Sequence, residues 1–322
     1  MATWAMAMCV AGASAQTAAT GPGPAYPEKT VTMIAPFSAG GSVDLVARAV
    51  AQQMGESWKQ PVIVSNRPGA SGNIGVEAAV RAAPDGYTLL IGTTALSSSV
   101  TLFPKLPFDP QRDLAPVSLV VTMPNVLVVH PSLPAKSIKE LLALARANPK
   151  VLNSGSAGVG SSNHLALVLF NMLSNAGIGH VPYKGAAPAV ADVMGGHVSM
   201  TFAPIAAVVP MIRAQRLRAL GVTAAARTTL FPEIPTIAEG GVAGYDAAGW
   251  NGLFLPRAAP RELVMRVNAA LKESLSSPRL KDVLVKAGAD AVGNTPEEFA
   301  KFFQSEIVKW SKVVKSAGIT GE

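Results

Sequence analysis

Residues 31–50 read VTMIAPFSAGGSVDLVARAV, and the stretch from Ala35 to Asp44 decides how the chain is read. An apolar, β-rich run ends in a proline, then a glycine pair, and a helix opens at Ser42 or Asp44. Leu45, Val46, Ala49 and Val50 follow at three- and four-residue spacing, which marks one apolar helical face. The order is strand, small-residue loop, helix. It recurs in PVIVSN leading to IGVEAAVRAA and in GYTLLIG leading to TALSSSVTLF. Strands alternating with helices predict βαβ units and a mostly parallel sheet.

A second set begins near NVLVVHP. Its first helix, SIKELLALARANP, carries a capping box of Ser137 with Glu140 and stops before Pro149. VLNSG, NHLALVLFNMLSN, GHVPYKG, PAVADVMGG, VSMTFAP and RLRALGVT continue the alternation. The last part is helical. Thr295-Pro296 with Glu298 is a start signal. Phe299, Phe302, Phe303, Ile307, Trp310 and Val314 then form a stripe that predicts a packing face. Two α/β units of comparable size with a late helical return predict an α/β protein of two lobes and a cleft.

The 322 residues are 49% hydrophobic and 15% charged, which excludes a disordered chain. The formal net charge is +7, from 27 Lys and Arg against 20 Asp and Glu. The basic residues are scattered, and only four Tyr and four Trp exist to stack on bases, so nucleic-acid binding is not expected. A mild field for small anions, or a plain solvated surface, accounts for the charge.

The N-terminus, MATWAMAMCVAGASAQ, is apolar up to Ala13-Ser14-Ala15, an A-x-A cleavage pattern before Gln16. Residues 1–15 are therefore expected to be a signal peptide, directing the chain to the periplasm. The basic n-region is missing, as it would be if the start were assigned too far downstream; a greasy tail is the alternative. The stretch falls short of the ~20 residues that span a bilayer. Cys9, the only cysteine, lies within it, so a mature chain would hold no disulfide, catalytic thiol or thiolate metal site.

Three junctions share the character of the opening stretch: PFSAGGSVD (36–44), NRPGASGNIG (66–75) and SGSAGVGSSNH (154–164). Each places Gly, Ser and Ala before a helix. The first helical turn leaves N–H groups unpaired and carries the positive end of the dipole, so carboxylate or phosphate can bind there without an arginine. Ordinary N-capping by Ser42 or Asp44, Ser71 or Asn73, and Ser161 or Ser162 is the competing reading for any one loop. Three such loops at strand ends favour a ligand.

Other chemistries fit less well. GSAGVGSS (155–162) has the glycine spacing of a P-loop, but Ser161 stands where the lysine belongs. SGSAG (154–158) nears a nucleophile elbow, with Ser154 in place of the first glycine. His130, His164, His180 and His197 show no metal spacing. The rival reading is a secreted serine hydrolase using Ser161 or Ser156 with His164. Tyr183 and Lys184 stand at a strand end, either finishing a polar pocket or solvated. Trp250, between glycines in GWNG, suits either a segment passing between lobes or a packed core.

Taken in order, PFSAGGSVDLVAR, NRPGASGNIG, PDGYTLL, GSAGVGSSNHL, HVPYKGAAPAVADVMGGHV and GWNGLFLPRAAP resemble the substrate-binding receptors of tripartite tricarboxylate transporters, the Bug family. The resemblance runs from about Tyr26 to the C-terminal helix. It implies a two-lobed type II periplasmic-binding fold with two crossover strands. The first lobe would hold residues 26–124 and 253–322, and the second residues 125–252. It implies a monomeric, non-enzymatic receptor without cofactor or metal. The receptor would close on a small carboxylate and deliver it to transporter membrane subunits or a sensor. Carried over, the first-lobe ligand residues are Phe37, Ser38, Ala39, Gly40 and Gly41 with Asp44 as cap, together with Ala70, Asn73 and Thr93. The second-lobe residues are Ser156, Ala157, Gly158, Gly160 and Ser161, with Tyr183, Lys184 and Gly185 on the far wall. The family often has an aspartate facing the cleft where this chain has Ala203, a departure that implies a plain carboxylate rather than an amino acid.

Overall fold

The computed structural model describes residues 26–103, 105–183 and 186–320. The predicted export segment with Cys9, and Lys184 and Gly185, lie outside them.

The first part runs β1 (Val31–Ala35), α1 (Ser42–Trp58), β2 (Val62–Asn66), a 3-10 turn at Ala70–Gly72, α2 (Asn73–Val80), β3 (Thr88–Thr93), α3 (Thr94–Leu102), α4 (Pro110–Asp113) and β4 (Leu114–Met123). The chain then forms β5 (Asn125–Val129), α5 (Ile138–Ala147), β6 (Asn153–Ser156), α6 (Ser162–Ser174), β7 (Gly179–Pro182), α7 (Ala186–Met194), β8 (Met200–Pro204), α8 (Ile205–Arg213) and β9 (Arg218–Val222). It returns through β10 (Gly249–Pro256) to α9 (Arg261–Ser276), α10 (Pro278–Lys286), β11 (Asp290–Ala291) and α11 (Pro296–Ser316).

Two sheets result. One has the order β11-β4-β10-β3-β1-β2, the other β7-β6-β8-β5-β9. The predicted parallel pairing holds for β2-β1-β3 and for β7-β6-β8. The rest is antiparallel: β10 against β3 and β4, β11 against β4, and β5 against β8 and β9. The crossovers explain the reversal. β1 and β3 end at the junction between the sheets. A strand that arrives there from the other sheet, as β10 does, must begin where they end. β5 enters the second sheet by the same logic.

Each sheet buries both faces. Val31, Met33, Leu89, Ile91 and Leu253 pack under α1 and α9, while Ile34, Leu90 and Phe254 pack on the other side against Phe299 and Phe303. In the second sheet Leu127, Val129 and Phe202 pack under α6, and Val126, Val128 and Ala203 lie opposite, with Val190 and Val208.

The C-terminal helix α11 differs from the expectation that it belongs to the first lobe. Phe299, Phe303 and Ile307 join the first core, whereas Trp310, Val313 and Val314 join the second. A helix of 21 residues is about 32 Å long, enough for one apolar stripe to serve both units. Its start is a full capping box of Thr295 and Glu298. Midway, the buried Glu306 Oε2 accepts hydrogen bonds from Trp250 Nε1 (2.9 Å) and Trp310 Nε1 (2.8 Å), and Lys309 pairs with the other oxygen. Trp250 lies on the returning strand β10, so this knot pins the crossover to α11.

Candidate ligand-binding site

The register places the small-residue loops at one junction. Thr93, the last residue of β3, faces Asn251 of β10, and Asn125, the first residue of β5, faces Pro204 at the end of β8. The ends of β1 and β3 in one sheet, and of β6 and β8 in the other, therefore meet at the crossover. Helix α3 runs between them. It packs on the Ala70–Gly72 turn, and its Leu102 lies against Gly160.

In the first loop Phe37 is half-buried and Ser38, Ala39, Gly40 and Gly41 are exposed. The N-cap of α1 is Gly41, which offers no side chain. Asp44, the third helical residue, does the capping from inside the helix. Its Oδ2 accepts from the Gly40 N–H (2.9 Å) and from Arg48 Nε (2.9 Å), and its Oδ1 accepts from Asn66 Nδ2 (2.9 Å). Asn66 Nδ2 also donates to the Phe37 carbonyl (3.0 Å), and Arg48 Nη2 donates to Asn66 Oδ1 (3.0 Å). Asp44 is 3% exposed, and the Arg48 hydrogen bond is the main reason its carboxyl is held down at about 2. Its charge is spent on shaping the loop. Arg48 and Asn66 were not among the residues picked out in the sequence; the i, i+4 spacing of Asp44 and Arg48 was the available signal.

The second junction is backbone-strained. Ala70 (φ 46°) and Ser71 (φ 56°) both adopt the left-handed conformation, which non-glycine residues enter at a cost of about 1 kcal/mol or more each. The N-cap of α2 is Gly72, not Ser71 or Asn73. Ala70 is exposed and Asn73 buried. Gly75 lies so close to Pro36 and Arg67 that a Cβ there would sit 2.8 Å from Pro36 Cα and 2.9 Å from the Arg67 carbonyl oxygen. The first two loops are thus one packed unit. Thr93 caps α3, its hydroxyl accepting from the Ala95 N–H (3.2 Å).

The third loop leaves β6 at Ser156, which is buried, and passes through Ala157, Gly158 (φ 125°), the exposed Val159 and Gly160 (φ 75°) to Ser161, the N-cap of α6. The two positive φ values are what L side chains resist, and they fold the loop back over its own base. Ser161 Oγ donates to the Gly158 carbonyl (2.7 Å) and accepts from the His164 N–H (3.3 Å). Ser156 Oγ accepts from the Gly158 N–H (3.1 Å) and lies 2.6 Å from His180 Nε2. His164 Nδ1 accepts from the Gly160 N–H (3.1 Å). The two imidazoles stack, with ring centres 3.8 Å apart and planes 14° apart. Burial, and then the neighbouring His180, lower the His164 pKa to about 4; burial lowers that of His180 too.

This geometry departs from the hydrolase reading. Ser156 pairs with His180 rather than with His164, and Ser161 meets His164 only through its main-chain N–H. Tyr183 is engaged as well. Its hydroxyl donates to Asp192 Oδ2 (2.6 Å), and burial together with that carboxylate pushes the phenol up to about 12. Ala203 is fully buried in the core under α7 and α8, so the side chain at that position faces the core and not the cleft. Its identity therefore carries no direct information about the ligand. A surface groove lies elsewhere, between α1 and α10, lined by Leu45, Arg48, Arg279 and Val283.

Two α/β units joined by crossing strands, each offering a glycine- and serine-rich loop at its strand ends, define a two-lobed solute-binding protein of the type II periplasmic class. The chain belongs to the tripartite tricarboxylate transporter family of receptors, whose family model matches residues 46–319. It is 37% identical over 295 residues to protein BugT of Bordetella pertussis, covering 91% of this chain and 90% of that one. Among solved structures it is similar to R. palustris Rpa4515 with adipate, at 36% identity and a TM-score of 0.80, covering 92% and 99% of the two chains. It is also similar to MatC (Rpa3494) from Rhodopseudomonas palustris with bound malate, at 33% identity and a TM-score of 0.76, covering 90% and 100%. Among the described residues no helix is long and apolar enough to cross a membrane.

Proposed function

We propose that this chain is an exported periplasmic receptor that captures a small carboxylate between its lobes and presents it to membrane subunits of a tripartite tricarboxylate-type transporter or to a sensor. The observation that carries this reading is the pair of loops, 37–41 and 156–161, at strand ends on either side of the crossover. Each leads into a helix whose first-turn N–H groups have no intrahelical partner, and the nearby charge of Asp44 is already neutralised by Arg48. Such a site recognises an anion through backbone dipoles and water and needs no arginine. Adipate and malate in the similar R. palustris proteins are ligands of this chemistry.

In this reading residues 26–124 form one lobe with the return that begins at β10, the middle segment forms the other, and α11 packs against both. The ligand meets one loop first, and closure brings the other; it favours the closed state by the difference in its affinity for the two states. The reading includes no bond making or breaking. A thermal-shift screen of the purified chain against a carboxylate panel tests it. At least one di- or tricarboxylate should raise the melting temperature, and a panel without effect would count against the proposal.

A further inference from the structure

Resting on that reading of the site, we infer that His164 and His180 are positioning residues for the second-lobe loop, selecting which of its N–H groups are presented to the anion. The loop has a limited set of donors. The Gly160 N–H is taken by His164 Nδ1 at 3.1 Å. The Gly158 N–H is taken by Ser156 Oγ at 3.1 Å, and that oxygen is itself fixed by His180 Nε2 at 2.6 Å. Two amides are thereby turned inward. The first-turn amides of α6, at Ser162 and Asn163, have no intrahelical partner and carry the positive end of the helix dipole. With the Ala157 and Val159 amides, which make no hydrogen bond within the loop, they are the donors left for a carboxylate.

The stack makes the two holds a single device. His164 is on α6 and His180 on β7, so the pair ties the helix that supplies the donors to the strand beside the loop. His164 is only 6% exposed. Because its Nδ1 accepts a hydrogen bond, its proton must sit on Nε2, which fixes the tautomer. An aromatic ring of similar size would keep the stack but lose the acceptor, whereas an asparagine places an oxygen close to where Nδ1 lies. The conservative replacement at His180 is glutamine, whose amide reaches the Nε2 position.

The test compares His164→Phe, His164→Asn and His180→Gln with the parent chain by isothermal titration using adipate and malate, alongside nitrogen-15 NMR of the histidines and of the Gly160 amide. His164→Phe should weaken binding about tenfold, the effect of one misplaced hydrogen-bonding group, while His164→Asn and His180→Gln stay within about threefold. His164→Phe binding as tightly as the parent would overturn the inference. Equal weakening by Phe and Asn would overturn it too, since the imidazole would then act on the ligand directly. If no member of the carboxylate panel binds the parent chain, the ligand reading fails separately, and in either case the NMR decides this one. Nδ1 of His164 should be unprotonated at neutral pH, and the Gly160 amide should lose exchange protection in His164→Phe. A protonated Nδ1, or an unchanged amide, would refute the positioning role.

Discussion

Replacing Glu306 with leucine should destabilise the protein by about 3–5 kcal/mol, the range for removing one partner of a buried charged cluster. The structure supports that size. Glu306 is 4% exposed, and its Oε2 accepts from two indoles that are themselves 2% and 1% exposed, Trp250 and Trp310. Leucine removes two hydrogen bonds to a charged acceptor, each worth about 1.5–3 kcal/mol, and leaves two buried N–H donors unmatched. Burial of the new apolar atoms returns about 1–2 kcal/mol. Glutamine keeps an oxygen for the indoles and should lose only about 1 kcal/mol. Urea denaturation followed by tryptophan fluorescence reads both the stability and the two indoles. A leucine variant within 1 kcal/mol of the parent would refute the view that this carboxylate pins the returning strand to the helix shared by both lobes.

Other expectations follow from the loops. The folded-state pKa of His164 lies near 4, below its ordinary value near 6.5, so between these pH values the unfolded chain binds more protons. Stability should therefore fall as pH drops from 6.5 toward 4. The linkage is worth a few kcal/mol at most. Thermal melts across this range should be flatter for a His164→Asn variant, and equal slopes would speak against the buried pair. Asp44→Ala should cost about 2 kcal/mol and weaken carboxylate binding, because it releases Gly40, Arg48 and Asn66 together; calorimetry on the variant checks both. With its folded pKa held near 2, the Asp44 contribution is complete above about pH 4 and is lost as pH falls through 2, which an acid titration of parent and variant would resolve. Gly75→Ala should push the 36–41 loop away from α2 and lower stability by about 1–3 kcal/mol, with weaker ligand binding, and an unaffected variant would show that the contact with Pro36 is soft.

The architecture was legible because its signals are local. Apolar runs, glycine-rich junctions and helix periodicity each act within ten residues, and the Thr295–Glu298 capping box lies where its pattern predicts. The capping box at Ser137 is half present: its hydroxyl accepts from the Glu140 N–H, but the Glu140 carboxylate turns to the Lys136 N–H instead. The interior of the site was less legible because its contacts join distant residues. Nothing in the spacing links Ser156 to His180, 24 residues on, or Asn66 to the Phe37 carbonyl. Glu306 was hidden by its position inside an apolar stripe, and the stripe itself gave no sign that it serves two cores. The antiparallel half of each sheet arises from the crossovers, which only the tertiary arrangement reveals.

Titration calorimetry of the purified chain with adipate, with malate and with the diamide of adipate measures the central claim directly. The account predicts saturable one-to-one binding of a dicarboxylate and no heat from the diamide, because the loops offer donors to an anion. Silence from these acids and from every other di- and tricarboxylate of the panel, or binding of the diamide as tight as that of the acid, would contradict it.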